Sequence, residues 1–185
     1  MSVPVLQQRA PRSAFRAAII PLALGIACAG TVPGPAIHAA PLEHAPGCVD
    51  SAGLTNTLDA YFAALSGPQG ERDWTALRAA TLDTARFDPI GIDQAGQNRY
   101  YPQSREEFLA HIDAYARTTG FFQRPVDPEF RCWRRVAQVW TRFESRNAAD
   151  GPVIDRGRMG LHLVHDGTRW SIAHVQWNSE PHIGD

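Results

Sequence analysis

The apolar residues of this chain repeat at one period before Gly120 and at another after it, and that switch limits the possible folds more than any other feature. Upstream, "LTNTLDAYFAALSG" sets Leu54, Leu58, Phe62 and Leu65 on one helical stripe, which Gly67 and Pro68 end. Asp73 is placed to cap a second short helix, "DWTALRAATL", that carries Trp74, Leu77 and Ala80 on one face. A third helix has the strongest local signal: Ser104 and Glu107 have capping-box spacing, Phe108, Leu109, Ile112, Tyr115 and Ala116 form its apolar stripe, and Gly120 stops it. Downstream, "FRCWRRVAQVWTRFESR" is rich in β-formers and alternates, so that Val136 and Trp140 face opposite to Ala137, Val139 and Phe143. "DRGRMGLHLVHDGTRWSIAHVQWNSE" then reads as two strands joined at its Asp-Gly turn. Three helices followed by antiparallel strands predict an α+β domain with the helices on one face of a curved sheet. Between the second and third helices, "ARFDPIGIDQ" reads as a short strand and turn, and "DQAGQNRYYPQ" as a polar loop.

The first forty residues stand apart from this pattern. Arg9, Arg12 and Arg16 come without an acid, and the fourteen-residue run "AAIIPLALGIACAG" follows, too short to span a bilayer and interrupted by Pro21. Ile37 and Ala39 then fit the pocket of a signal peptidase cutting before Ala40. The expectation is an export signal over 1–39, an N-terminal arm over 40–52, one domain over 53–181 and a tail over 182–185. The location would be periplasmic or secreted. Lipoprotein anchoring through Cys28 of "LGIAC" is an alternative, with Gly25 where such signals carry leucine.

Export changes both the charge and the thiol count. Of eighteen basic residues, all arginine, removal of Arg9, Arg12 and Arg16 leaves fifteen against nineteen acids, a net charge of −4. Nucleic acid is therefore not an expected partner, because phosphate binding relies on a basic face. The absence of lysine excludes Schiff-base chemistry and a lysine-dependent phosphate loop. Cys48 and Cys132 remain, and in an oxidising compartment they are expected to pair, tying the segment before the first helix to a middle strand.

Asp88 is the carboxylate that invites a chemical reading. An aspartate before proline opens turns and accepts backbone hydrogen bonds; desolvated in an apolar pocket, it would have a raised pKa and act as a general base. Tyr61, beside Phe62, is either a packed core tyrosine or a hydrogen-bond donor to a ligand. His162, His165 and His174 lie on or beside adjacent strands without the spacing of a helical metal motif, so neither a metal nor a cofactor is expected. His162 alternates with Leu161 and Leu163 and should face away from any ligand cavity. Arg142, Glu144, Arg156 and Arg158 read as a charged surface.

The order of elements, and "VAQVWTRFESR" and "DRGRMGLHLVHDGTRWSIAHVQW" in particular, resembles the nuclear transport factor 2-like superfamily in its SnoaL-like and ketosteroid isomerase-like branch, over roughly Ala52 to Glu180. The resemblance implies a cystatin-like cone: a curved antiparallel sheet against about three N-terminal helices, with a mostly apolar cavity at its wide end. "DAYFAAL" resembles the helix carrying the isomerase tyrosine, at Tyr61, and "ARFDPIGI" the segment carrying the general base, at Asp88. Trp177 matches a cavity-lining tryptophan. Leu161 falls where the isomerases hold a second, protonated carboxyl donor, and an enolate needs both donors, so steroid isomerisation is not expected. Trp74, Tyr101, Phe108, Leu161 and Trp177 are the expected ligand-binding residues. The leading expectation is a cavity for a small apolar molecule, without a membrane span. One alternative is a metal-independent isomerase-, cyclase- or dehydratase-like enzyme using Asp88 and Tyr61, and another a non-catalytic homodimerisation module.

Overall fold

The computed structural model describes residues 47–92 and 96–180. The expected export signal, Cys28 and the tail therefore lie outside the described residues. Helix α1 (Ser51–Leu65) begins where the Asp50 side chain accepts the Gly53 N–H, and it buries Leu54, Leu58, Tyr61, Phe62 and Leu65. Helix α2 (Thr75–Ala80) follows, with Asp73 accepting the Thr75 N–H at 2.8 Å and Trp74, Leu77 and Ala80 buried. The capping box of α3 (Arg105–Ala116) is formed by Ser104 and Glu107. Its stripe divides: Leu109, Ile112 and Ala116 are buried, while Phe108 and Tyr115 are partly covered.

The strands are β1 (Thr81–Ile92), β2 (Asn98–Tyr100), β3 (Gln103–Ser104), β4 (Phe122–Trp133), β5 (Val136–Arg146), β6 (Asp155–His165) and β7 (Trp170–Ser179). They form one sheet in the order β2-β1-β7-β6-β5-β4, with β3 also paired to β1. β4 to β7 are consecutive antiparallel neighbours, as the alternation predicts. β1 differs from expectation in two respects. It is a twelve-residue strand beginning directly after α2, not a short strand and turn, and it pairs with β7 in parallel. Asp88 and Pro89 therefore lie inside the sheet, with Asp88 opposite Gln176 and Pro89 opposite Trp177. The stretch read as a polar loop contains β2 and β3, which pair with the other edge of β1.

The sheet has one face against the helices and one face open. On β5 the burial alternates strictly: Ala137, Val139, Thr141, Phe143 and Ser145 face in, and Val136, Gln138, Trp140 and Arg142 face out. On β6, Met159, Leu161 and Leu163 face in, and Arg158 and His162 out. The inward residues join Phe87, Ile172 and Val175 with the apolar stripes of α1, α2 and α3 in one core. Burying a side chain of leucine or phenylalanine size contributes about 1.5–3 kcal/mol, so this face holds the helices on. On β7 the register shifts between His162/Leu163 and their partners, leaving Ala173 over. That bulge reverses the facing, so Ile172 and Val175 both point into the core while His174 points out.

Cys48 and Cys132 form a disulfide across a sequence separation of 84 residues, as the thiol count predicts. It fixes the segment before α1 to the end of β4. Among the described residues no helix is long and apolar enough to cross a membrane.

Candidate functional site

Asp88 is 3% exposed although it lies on the open side of the sheet. Phe87 precedes it on β1 and is fully buried among the helices, and successive strand residues point to opposite faces, so the carboxylate leaves the sheet away from α1. Three donors close over it there. The Tyr100 hydroxyl donates to Oδ2 at 2.5 Å, the Gln103 backbone N–H to Oδ1 at 3.1 Å, and His174 Nε2 lies 2.9 Å from Oδ2. Arg86, on the same face of β1, adds an ion pair at 3.7 Å. β2 and β3, by pairing with β1, bring Tyr100 and Gln103 over it, and the parallel β1–β7 pair brings His174.

These contacts decide the charge on Asp88. Burial is the largest single influence and pushes its pKa up, but the hydrogen bonds from Tyr100, Gln103 and His174 together outweigh it and hold the carboxyl below the ordinary value. This is the reverse of the raised pKa expected for a base in an apolar pocket. Burial there comes with enough donors that the ion is the favoured form. In return, the hydrogen bond to Asp88 pushes the Tyr100 hydroxyl pKa up. With Asp88 ionised and able only to accept, Nε2 of His174 carries a proton.

His174 also lines a groove of about 350 Å³ on the open face, with Arg131, Gln138, Trp140, Gly160, His162 and Gln176. The His174 and His162 rings meet edge to face with centroids 5.7 Å apart, and Gln138 Nε2 lies 3.5 Å from His162 Nε2. Trp140 lies across Gly160: a Cβ there would stand 3.4 Å from its indole ring. Among the described residues no group of three or more histidine, cysteine, aspartate or glutamate side chains is placed to hold a metal ion.

The other residues singled out from sequence lie elsewhere. Tyr61 is 1% exposed on the helix side, stacked on Phe87 at 6.4 Å between ring centroids, and burial pushes its pKa up. Phe87 stacks on Phe108 at 4.2 Å, and Phe108 meets Trp177 edge-on at 6.0 Å. Leu161 is fully buried in the same core, and Trp74 donates from Nε1 to Asp113 at 3.0 Å. Tyr101 is exposed, with its backbone N–H bonded to the Pro89 carbonyl. Tyr61, Phe108 and Trp177 are thus brought together through Phe87, and Asp88 is on the far side of β1 from them. The tyrosine on Asp88 is Tyr100, which sequence reasoning missed, as it missed His174 as a partner. The strand around His174 also carries Ser171, Gln176, Asn178 and Ser179, so no local signal singled it out.

Solved structures share this architecture at low sequence identity. A Nostoc punctiforme protein of unknown function with a cystatin-like fold matches with a TM-score of 0.57 at 10% identity, covering 75% of this chain and 98% of that one. A Cytophaga hutchinsonii protein described as nuclear transport factor 2-like matches with a TM-score of 0.54 at 11% identity, covering 71% and 99%. A Shewanella baltica protein of the same description and of unknown function matches with a TM-score of 0.51 at 13% identity, covering 70% and 93%. No family model matches the sequence, and no curated protein does. The chain has the nuclear transport factor 2-like fold, and a fold of this kind does not by itself specify a function.

Proposed function

We infer that this nuclear transport factor 2-like fold belongs to an exported small-molecule-binding protein whose ligand occupies the groove on the open sheet face, with Asp88 and His174 as the acid–base couple beside it. The 2.9 Å contact between Asp88 and His174 Nε2 carries the reading, because His174 is at once the partner of a buried carboxylate and a wall of the groove. A carboxylate that holds one ring nitrogen protonated orients the imidazole and leaves Nδ1 of the neutral ring to accept a proton. The ligand chemistry suggested by Trp140, Gln138, Gln176 and the two histidines is a flat molecule with polar substituents, rather than the wholly apolar one expected from sequence.

A proton-transfer reaction without metal is the second reading, and the same couple favours it. Asp88 then acts through His174 and does not itself exchange protons with a substrate, since its donors hold it ionised. Tyr61, stacked under Phe87, is better suited to packing than to polarising a ligand in that groove.

Two-dimensional NMR of the labelled exported protein tests both parts. In the histidine ring spectrum His174 should show the Nε2-protonated tautomer at neutral pH; the Nδ1-protonated form would remove the couple. In a titration with small heteroaromatic compounds, shifted amides should cluster at Gln138, Trp140, His162 and Gln176. Shifts confined to α1 and α3 would move the ligand to the helix side and sink the groove reading.

A further inference from the structure

The β4–β5 hairpin turns in two residues, Arg134 and Arg135, and its flanking pair Trp133 and Val136 lie opposite each other in the ladder. Both side chains are among the most solvent-exposed large hydrophobics of the fold, at 60% and 55%. Arg131, exposed and two residues before Trp133, continues the same face of β4, and Trp140, 49% exposed, continues that of β5. Among the described residues no ion pair engages Arg131, Arg134 or Arg135. Glu129 on the same face of β4 and Asp166 in the β6–β7 turn leave the local balance positive, on a processed chain whose net charge is −4.

The tip is held, not loose. The Cys48–Cys132 disulfide sits directly behind it, the Val49 N–H donates to the Arg134 carbonyl at 3.0 Å, and the His165 N–H donates to the Arg135 carbonyl at 2.9 Å. The same disulfide ties the segment that opens α1 to this tip.

We propose that the β4–β5 tip is a docking surface for an anionic phospholipid bilayer, with Trp133 and Val136 entering the interface and Arg131, Arg134 and Arg135 meeting the headgroups. Tryptophan sits favourably at headgroup depth, and arginine reaches from apolar contact to charged phosphate. Each arginine near an anionic surface strengthens binding about five-fold. The alternative occupant, a second copy of the chain, would bury roughly 800 Å² per partner and would show as a larger solution mass. Arg131 also lines the groove, but Trp133, Arg134 and Arg135, which carry the test, do not, and the proposal does not depend on Asp88.

Vesicle sedimentation with the exported protein, its N-terminus read by mass spectrometry, decides it. Vesicles of phosphatidylglycerol and phosphatidylcholine should retain wild type more strongly than pure phosphatidylcholine vesicles, and added salt should weaken the difference. Arg134→Gln with Arg135→Gln should lower partitioning on the order of 25-fold, at about five-fold per charge. Brominated lipid should quench wild-type emission and not that of Trp133→Phe, a variant that preserves the exposed ring and so the fold. Equal retention by both vesicle types, or by wild type and the arginine variant, would overturn the proposal. So would a drop in solution mass in Trp133→Ala, which would assign the tip to contact between copies of the chain.

Discussion

Asp88 shows how neighbours can reverse what burial alone would do to a carboxylate. Substituting Asp88→Asn replaces one acceptor oxygen by a donor, so either Tyr100 and His174, which share Oδ2, or the Gln103 N–H on Oδ1 loses its acceptor. The expected cost is about 2–3 kcal/mol, read as a shift in the urea midpoint at pH 7. The pH dependence has a definite sign. Because the folded carboxyl ionises below its ordinary value of 3.8, its stabilisation is complete above that value and is lost as pH falls through the lower, folded one. The gap between wild type and Asp88→Asn should therefore be constant from about pH 5 upward and shrink in stronger acid; a gap that persists unchanged at pH 2 would contradict this electrostatic account. None of this was legible locally, since "FDPIG" carries a turn signal and the donors come from β2, β3 and β7. Gly157 is a second residue with a single demand on it. A Cβ there would stand 2.1 Å from the Asn178 carbonyl oxygen on β7, so Gly157→Ala should cost on the order of 2 kcal/mol or more, read as a lowered melting temperature.

At the scale of elements, α3 is the one most completely legible before folding. Ser104 and Glu107 satisfy each other's backbone donors within one turn, so neither needs a tertiary partner. Ser104→Ala should destabilise the protein by about 1 kcal/mol, as an equal shift in denaturant midpoint at any pH where Glu107 is ionised. β1 is the opposite case. Its alternation is masked by Asp83, Asp88 and Pro89, residues that by propensity disfavour strands, and a local reading shortens it to a few residues. It becomes a strand because β7 on one side and β2 and β3 on the other take up its backbone groups. The β6–β7 turn is again local: Asp166 accepts the Thr168 hydroxyl and the Thr168 and Arg169 N–H groups, which pull its pKa down, and Gly167 takes a positive φ of 116°.

For the whole molecule, the disulfide is the longest-range covalent constraint, closing 84 residues that include every helix and the first strands. In the chain-entropy picture such a loop contributes about 4–5 kcal/mol. Cys48→Ser with Cys132→Ser should therefore lower the calorimetric midpoint on the order of 10–15 °C; an unchanged midpoint would show that the pair does not form in the folded protein. The pairing was readable from the two thiols that remain when the expected export signal over 1–39 is set aside. The helix stripes, the α3 capping box, the alternation of β5 and β6 and the Asp166-Gly167 turn were readable too, because each depends on residues a few positions apart. The parallel seating of β1 on β7, the Ala173 bulge that turns His174 outward, and the separation of Tyr61 from Asp88 by the sheet were not. They are chosen by which apolar faces can be buried together, and the stretch between Asp88 and His174, 86 positions apart, carries no periodic mark of that choice.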